Sequence, residues 1–158
     1  MKIDVFDRAR LYAVSLLNYR PRTEAEIRQK LKKKGFPAHV INSLVADFKE
    51  KSLIDDKKFS MLWTRSRLQG QGHSFRKIKR ELLLKGVDRQ LIDNTAVGLK
   101  QEFSEMEIAL KLSANRMASF KGIDAGKAKR RLYSYLMRRG FSNSIVFEVI
   151  NEAYPDTR

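Results

Sequence analysis

"LKKKGF" occupies residues 31–36, and "LLLKGV" at 82–87 and "LMRRGF" at 136–141 repeat its order. Each runs from a leucine through a basic stretch to a glycine and a bulky apolar residue. Aligned on Gly35, Gly86 and Gly140, the three phrases lie 51 and 54 residues apart. Eight positions upstream stand Ile27, Ile78 and Leu132, and four upstream stand Leu31, Leu82 and Leu136. Phe36, Val87 and Phe141 follow the glycines. Further on come Val40–Ile41, Leu91–Ile92 and Ile145–Val146, then Leu44–Val45, Thr95–Ala96 and Val149–Ile150. Chance produces one such match; a register of this length in triplicate marks an internal repeat.

The repeated phrase reads as a helix stop. Glycine takes the left-handed conformation that closes a helix without a Cβ penalty, and the next residue folds back on the leucine. The pairs are Phe36 on Leu31, Val87 on Leu82 and Phe141 on Leu136. Lys and Arg before the glycine suit the negative end of the helix dipole. Asp88 and Ser142 offer caps for the helix that follows, and Pro37 takes that place in the first repeat.

Apolar residues between the stops recur at helical spacing, as in Ala9, Tyr12, Ala13, Leu16 and Leu17, and no alternation is long enough for a sheet. Thr23 and Glu26 make a capping box. Helices are expected over 5–18, 23–34 and 38–50, then 56–68, 75–85 and 89–100, then 103–120, 125–139 and 143–153. The fold class is all-α: three tandem three-helix repeats, at 1–53, 54–101 and 102–158, forming an elongated, straight or curved array. Leu83 and Leu84 widen the apolar arc of the middle repeat, as expected of a unit with neighbours on two sides.

The 158 residues carry 33 Lys+Arg against 18 Asp+Glu, a net charge of +15. The repeats hold 12 basic against 6 acidic, 11 against 5 and 10 against 7 residues, or +6, +6 and +3. Such an excess concerns partners rather than fold: nucleic acid, an anionic membrane or an acidic protein face. The absence of cysteine excludes disulfides, thiolate catalysis and Cys-ligated zinc. Asp4 and Asp7 interrupt the opening, which makes a poor signal peptide, and no window approaches the ~20 apolar residues of a membrane span. A soluble, cytoplasmic, bacterial-type protein is the default expectation.

Four stretches together carry a resemblance: "RPRTEAEIRQKLKKKGF", "LIDDKKFSMLWTRSR", "GHSFRKIKRELLLKGV" and "KAKRRLYSYLMRRGF". In that order, from Ala9 to Ala153, the chain resembles the RecX family of recombination regulators. The resemblance implies an all-helical modulator of the RecA recombinase, active in DNA repair, recombination and the SOS response. It implies binding in the groove of the RecA–DNA filament, with the tandem units spanning neighbouring RecA protomers. It further implies suppression of RecA's ATPase, strand-exchange and coprotease activities, without a catalytic centre of its own. His73 and Ser74 in "GQGHSF" depart from the aromatic or proline residues of many relatives.

The basic clusters admit two readings. A charged helix face is often merely solvated, but the set as a whole is hard to explain without an anionic partner. On the functional reading, Arg22, Lys33, Arg65, Arg67, Arg76, Arg80, Arg131 and Arg139 are the expected electrostatic contacts to filament or to single- or double-stranded DNA. No helix carries the Asn, Gln and Arg set of base readout, so those contacts are expected to be non-specific. Tyr133 and Tyr135, beside Arg130, Arg131 and Arg138, suit an interface or the core. Trp63 and Phe59 read as core.

Asp55–Asp56 reads as a helix start rather than a carboxylate pair for catalysis. His39 and His73 lack the partners of a metal site, and "GQGHSF" is not a dinucleotide fingerprint. No P-loop, GxSxG or HExxH occurs, so neither enzyme chemistry nor a cofactor is expected. The protein is expected to act as a monomer, away from membranes. The competing reading is a sequence-tolerant nucleic-acid-binding module that acts independently of a recombinase. Naked DNA bound as tightly as coated filament would favour it.

Overall fold

Apolar residues spaced for one helix face, local caps and glycine stops dictate short helices. The computed structural model describes residues 4–155. Among them it has nine α-helices and no strand. Helices α1 (Val5–Tyr19), α2 (Glu24–Lys33) and α3 (Ala38–Glu50) form the first module. The second comprises α4 (Asp56–Ser66), α5 (Phe75–Leu84) and α6 (Arg89–Lys100), and the third α7 (Glu105–Met117), α8 (Ala125–Arg139) and α9 (Asn143–Ala153).

All three stops form as the sequence implies. Gly35, Gly86 and Gly140 have φ of 89°, 75° and 92°. The N–H of the next residue returns to the leucine carbonyl: Phe36 to Leu31 at 3.2 Å, Val87 to Leu82 at 3.1 Å and Phe141 to Leu136 at 3.4 Å. Last-turn carbonyls that would otherwise lack partners are satisfied in this way.

The starts are equally local. Thr23 and Glu26 complete the capping box of α2. Asp55 Oδ1 accepts the Lys58 N–H at 2.9 Å, Asp88 Oδ1 the Leu91 N–H at 3.0 Å and Ser142 Oγ the Ile145 N–H at 3.4 Å. Pro37 precedes α3 without a side-chain cap.

Two helices end sooner than their periodicity predicts. Past α4, Arg67–Gln71 forms one π-helical turn, and past α7, Ala118–Phe120 forms a 3-10 turn. The first is anchored by Arg67, whose Nε donates to Glu81 Oε2 at 2.9 Å and whose guanidinium lies 4.1 Å from the Trp63 ring centre.

The described chain divides into two compact units, and the middle module is shared between them. One unit holds the chain up to Leu62 together with Leu82–Ile92; the other holds Trp63–Glu81 and the chain from Asp93 onward. In the first, Ala9 and Ala13 let α1 approach a core of Ile27, Leu31, Val40, Ile41, Leu44, Val45 and Phe48. In the second, Ala109, Ala128, Leu132, Leu136, Phe141, Val146 and Val149 pack together. Full burial of a side chain such as Phe48 or Phe141 contributes about 1.5–3 kcal/mol.

The sharing of the middle module has a polar origin that repeats. Thr23 and Ser74 both stand twelve positions before a module's glycine, and both are fully buried. In the first unit, Thr23 Oγ1 donates to the Lys85 carbonyl at 2.6 Å while accepting the Glu26 N–H. In the second, the Ser74 N–H donates to the Arg139 carbonyl at 3.0 Å while its hydroxyl accepts the Lys77 N–H. Lys85 and Arg139 are the residues just before Gly86 and Gly140. The start of one module's middle helix is thus fastened to the glycine stop of the next, twice.

The joint also explains a difference from the sequence reading. Leu83 and Leu84 do not mark a second packing face: they are 44% and 82% exposed. The Thr23–Lys85 and Ser74–Arg139 joints instead form at helix ends.

A Cβ on Gly86 would meet Ala25 Cβ at 2.3 Å, and one on Gly140 would meet Ser74 Oγ at 2.5 Å and Lys77 Cβ at 2.7 Å. Around Gly35 nothing lies within 4 Å. Gly35→Ala is therefore predicted to cost about 1–2 kcal/mol, the left-handed penalty alone. Gly86→Ala and Gly140→Ala add overpacking of about 1–3 kcal/mol. Denaturant midpoints of the three variants check this: equal shifts would contradict the joint.

Candidate functional site

The eight basic residues singled out in the sequence separate into two groups. Four are engaged within the fold. Arg22 Nε donates to the Leu16 carbonyl at 3.1 Å, holding the end of α1. Arg67 braces the π-helical turn as described. Arg76 donates from Nε to the Gly140 carbonyl and from Nη2 to the Phe141 carbonyl, both at 3.1 Å, and so reinforces the second joint. Arg139 donates to the Gln71 carbonyl and lies over Tyr135, 5.0 Å from its centre.

The other four lie outward. Lys33, Arg80 and Arg131 are exposed. Arg65 is exposed too and makes a forked pair with Glu102 at 2.9 and 3.0 Å. Such an exposed pair contributes about 0–1 kcal/mol and exchanges readily for another anion. Lys33 shares the last turn of α2 with Lys30 and Lys32, which gives that helix end three lysines.

Around Arg131 the charge becomes concave. A depression of about 480 Å³ is lined by Arg116 from α7 and by Lys127, Arg130, Arg131, Ser134 and Arg138 from α8. Five of these six residues are cationic and none is acidic. Arg116 is held over Tyr135 and Phe120, at 5.4 and 5.6 Å from the ring centres. The guanidinium fork is the group best matched to phosphate or carboxylate oxygens.

The aromatic and histidine candidates resolve into structural roles. Phe59 is buried, and Trp63 donates its indole N–H to Glu81 Oε2 at 3.0 Å. Tyr133 donates its hydroxyl to Asn143 at 3.1 Å, and Tyr135 sits between Arg116 and Arg139. His73 is buried, its Nδ1 3.0 Å from Glu81 Oε1 but outside hydrogen-bond geometry. Burial, then the charge of Lys77, pushes the imidazole below its ordinary value, while Glu81 opposes them. Among the described residues no group of three or more His, Asp or Glu is placed to hold a metal ion. No described helix is long and apolar enough to cross a membrane.

Asp56 serves a helix other than its own. Its Oδ1 accepts the Glu24 N–H at 2.9 Å, at the start of α2. Burial raises its carboxyl, and the Glu24 N–H draws it back. Glu26 stands at the first joint with Arg20 at 2.8 Å, Lys85 at 3.2 Å and the Thr23 N–H at 3.2 Å. Burial alone would raise the Glu26 carboxyl, but these donors outweigh it and hold the group at about 2.

Comparison with known proteins places this arrangement. Residues 9–48 match the first three-helix domain of RecX, 55–95 the second and 104–150 the third. The chain belongs to the RecX family. Regulatory protein RecX of Streptomyces coelicolor is 34% identical over 150 residues, 95% of this chain and 79% of its own length. That of Amycolatopsis mediterranei is 33% identical over 147 residues, 93% of this chain and 83% of its own. The crystal structure of RecX from Lactobacillus salivarius superposes with a TM-score of 0.80 at 20% identity, covering 94% of this chain and 96% of that one. A second crystal structure, of regulatory protein RecX, gives 0.76 at 24% identity, covering 94% and 72%.

Within this RecX-family chain, sequence reading missed two sets. Of the joint residues, Thr23 and Glu26 were visible only as a capping box, Ser74 only as a departure in its loop and Lys85 only as a cation before the glycine, although the twelve-position offset shared by Thr23 and Ser74 was a usable signal. Arg116 carried no such signal, because only the fold brings α7 beside α8.

The Glu26 cluster gives a pH test. The folded carboxyl titrates below its ordinary 4.5, so its stabilisation is complete above that pH and is lost as pH falls toward about 2. Glu26→Gln is predicted to be less stable than the parent at neutral pH, with the gap closing across that window. Denaturation at a series of pH values measures it, and a constant gap would contradict the assignment. Arg76→Ala is predicted to lower stability by about 1–2 kcal/mol through the lost carbonyl bonds. An unshifted denaturant midpoint would return Arg76 to the pool of surface contacts.

Proposed function

We propose that this protein is a regulator that binds the RecA–DNA filament and modulates, mostly by inhibiting, its ATPase, strand-exchange and coprotease activities. The observation that carries the reading is family membership across all three domains in order. Its charge supports it: a surplus of +15 needs an anionic partner, and a nucleoprotein filament offers one along its length. In this reading the protein performs no reaction. Outward cations, Lys33, Arg65, Arg80 and Arg131, meet phosphate or acidic protein, while Arg22, Arg67, Arg76 and Arg139 keep the modules in shape. Bound along the groove, the chain bridges protomers and obstructs incoming DNA or the next subunit.

A second reading, a sequence-tolerant nucleic-acid binder independent of a recombinase, draws on the depression lined by five cations. Phosphate contacts of this kind position a protein without reading sequence. Tighter binding to coated filament than to naked DNA favours the first reading, and equal binding favours the second.

The direct test is RecA ATPase on single-stranded DNA, titrated with this protein up to equal amounts. ATPase is expected to fall and filaments to shorten. Unchanged ATPase and unchanged filament length would overturn the regulator reading.

A further inference from the structure

Seven positions before and seven after each glycine stop, the second and third helices of a module meet at the surface. In the first module the pair is Arg28 and Asn42, hydrogen-bonded at 2.8 Å. In the second it is Lys79 and Asp93, joined as an ion pair. In the third it is Tyr133 and Phe147, whose ring centres lie 5.7 Å apart. Two modules thus close this position with a polar pair, and the third presents an aromatic one. Phe147 is 54% exposed, although Val146, Val149 and Ile150 on the same helix are buried.

The helix that carries Phe147 is also unlike the others in charge. Among the described residues, α9 is the one α-helix without a lysine or arginine, in a chain of net charge +15. Its other exposed residues are Asn143, Ser144, Glu148, Asn151 and Glu152. An aromatic centre with a polar, charge-poor rim is the anatomy of a protein interface, and the two glutamates repel phosphate.

We propose that this face of α9 docks the same face of a second copy of the chain. Two observations choose that occupant. The first is symmetry. Asn143, Phe147 and Asn151 stand at i, i+4 and i+8 and form one stripe. A two-fold interface needs residue i to meet j while j meets i. Antiparallel pairing about Phe147 sets ring on ring and each Asn143 against Asn151 of the other copy. Tyr133 already donates to Asn143 Oδ1, so the Asn143 NH2 is the donor and the Asn151 oxygen the acceptor. The second is charge. Two copies of +15 repel wherever lysines and arginines oppose one another. Along α9 they approach helix to helix with no cation on either. The like charge that remains is Glu148, which falls on the same flank in both copies. One helix per copy makes a small interface, so the dimer is weak and forms at high concentration.

The inference goes beyond the filament reading, and its main test needs neither recombinase nor nucleic acid. Sedimentation of the full-length protein is followed at low and high salt up to about 500 µM, which reveals a dimer with Kd near about 100 µM. Phe147→Asn places the first module's polar residue at this position, and thermal melting checks that it folds. Leu11→Asn, at an apolar residue 62% exposed on α1, is the control. The parent is expected to dimerise more as concentration and salt rise, because screening weakens the repulsion between copies. Phe147→Asn is expected to weaken association roughly tenfold or more. Glu148→Gln is expected to strengthen it about two- to threefold, and Leu11→Asn to leave it within about twofold.

The chain has no cysteine, so engineered ones report the register. Asn143→Cys mixed with Asn151→Cys is expected to cross-link in greater yield than either variant alone, since like positions are offset by eight residues, about 12 Å. A parent that stays monomeric throughout would overturn the proposal. Equal loss in Phe147→Asn and Leu11→Asn would do the same, as would cross-links from one cysteine variant as ready as from the mixture. A monomeric parent whose Phe147→Asn variant no longer inhibits recombinase would assign the face to a different protein.

Discussion

The structure depends on a glycine that ends a helix where another helix begins. At Gly86 and Gly140 the backbone turns left-handed, and the absent side chain leaves room for Ala25 in one case and Ser74 in the other. The buried Thr23 hydroxyl or Ser74 amide then takes the carbonyl just before the glycine. One residue type thus meets two demands, a φ that other residues resist and a contact that a Cβ would block. Gly35 meets only the first, because no such helix start abuts it.

The joints also decide which charges remain for a partner. A helix end presents carbonyls, and the cations best placed to reach them are those nearest the glycine or opposite it. Arg76 and Lys77 donate to carbonyls of Gly140, Phe141 and Arg138, and Lys85 reaches Glu26. Other basic residues, among them Lys33, Arg80 and Arg131, are exposed. The division does not follow residue type, since arginines stand on both sides of it. Under the proposed function both kinds are needed, one to fix the modules and one to meet the polymer.

Helix count, caps and stops were legible in the sequence because each is a short-range effect. Thr23 with Glu26, Asp88 with Leu91 and Phe36 with Leu31 all lie within five residues of one another. Family membership was legible for a related reason, as the ordered phrases are built on these caps and stops. The pairing of Thr23 with Lys85 spans 62 residues, and nothing local announces it. The basic set was visible, but not that Arg22, Arg67, Arg76 and Arg139 would be engaged internally. The apolar surplus at Leu83–Leu84 misled because both side chains face outward, while the joints form at helix ends. The α7 half of the cationic depression was invisible, since Arg116 joins α8 only in three dimensions.

Hydrogen exchange of the intact protein, compared with and without RecA-coated single-stranded DNA, tests most directly whether the outward cationic faces meet the filament. The account predicts slowed exchange in α8 and at the lysine-rich end of α2, with little change around Thr23 and Ser74, whose bonds are already made. Unchanged exchange in both helices, or protection confined to segments outside them, would contradict it.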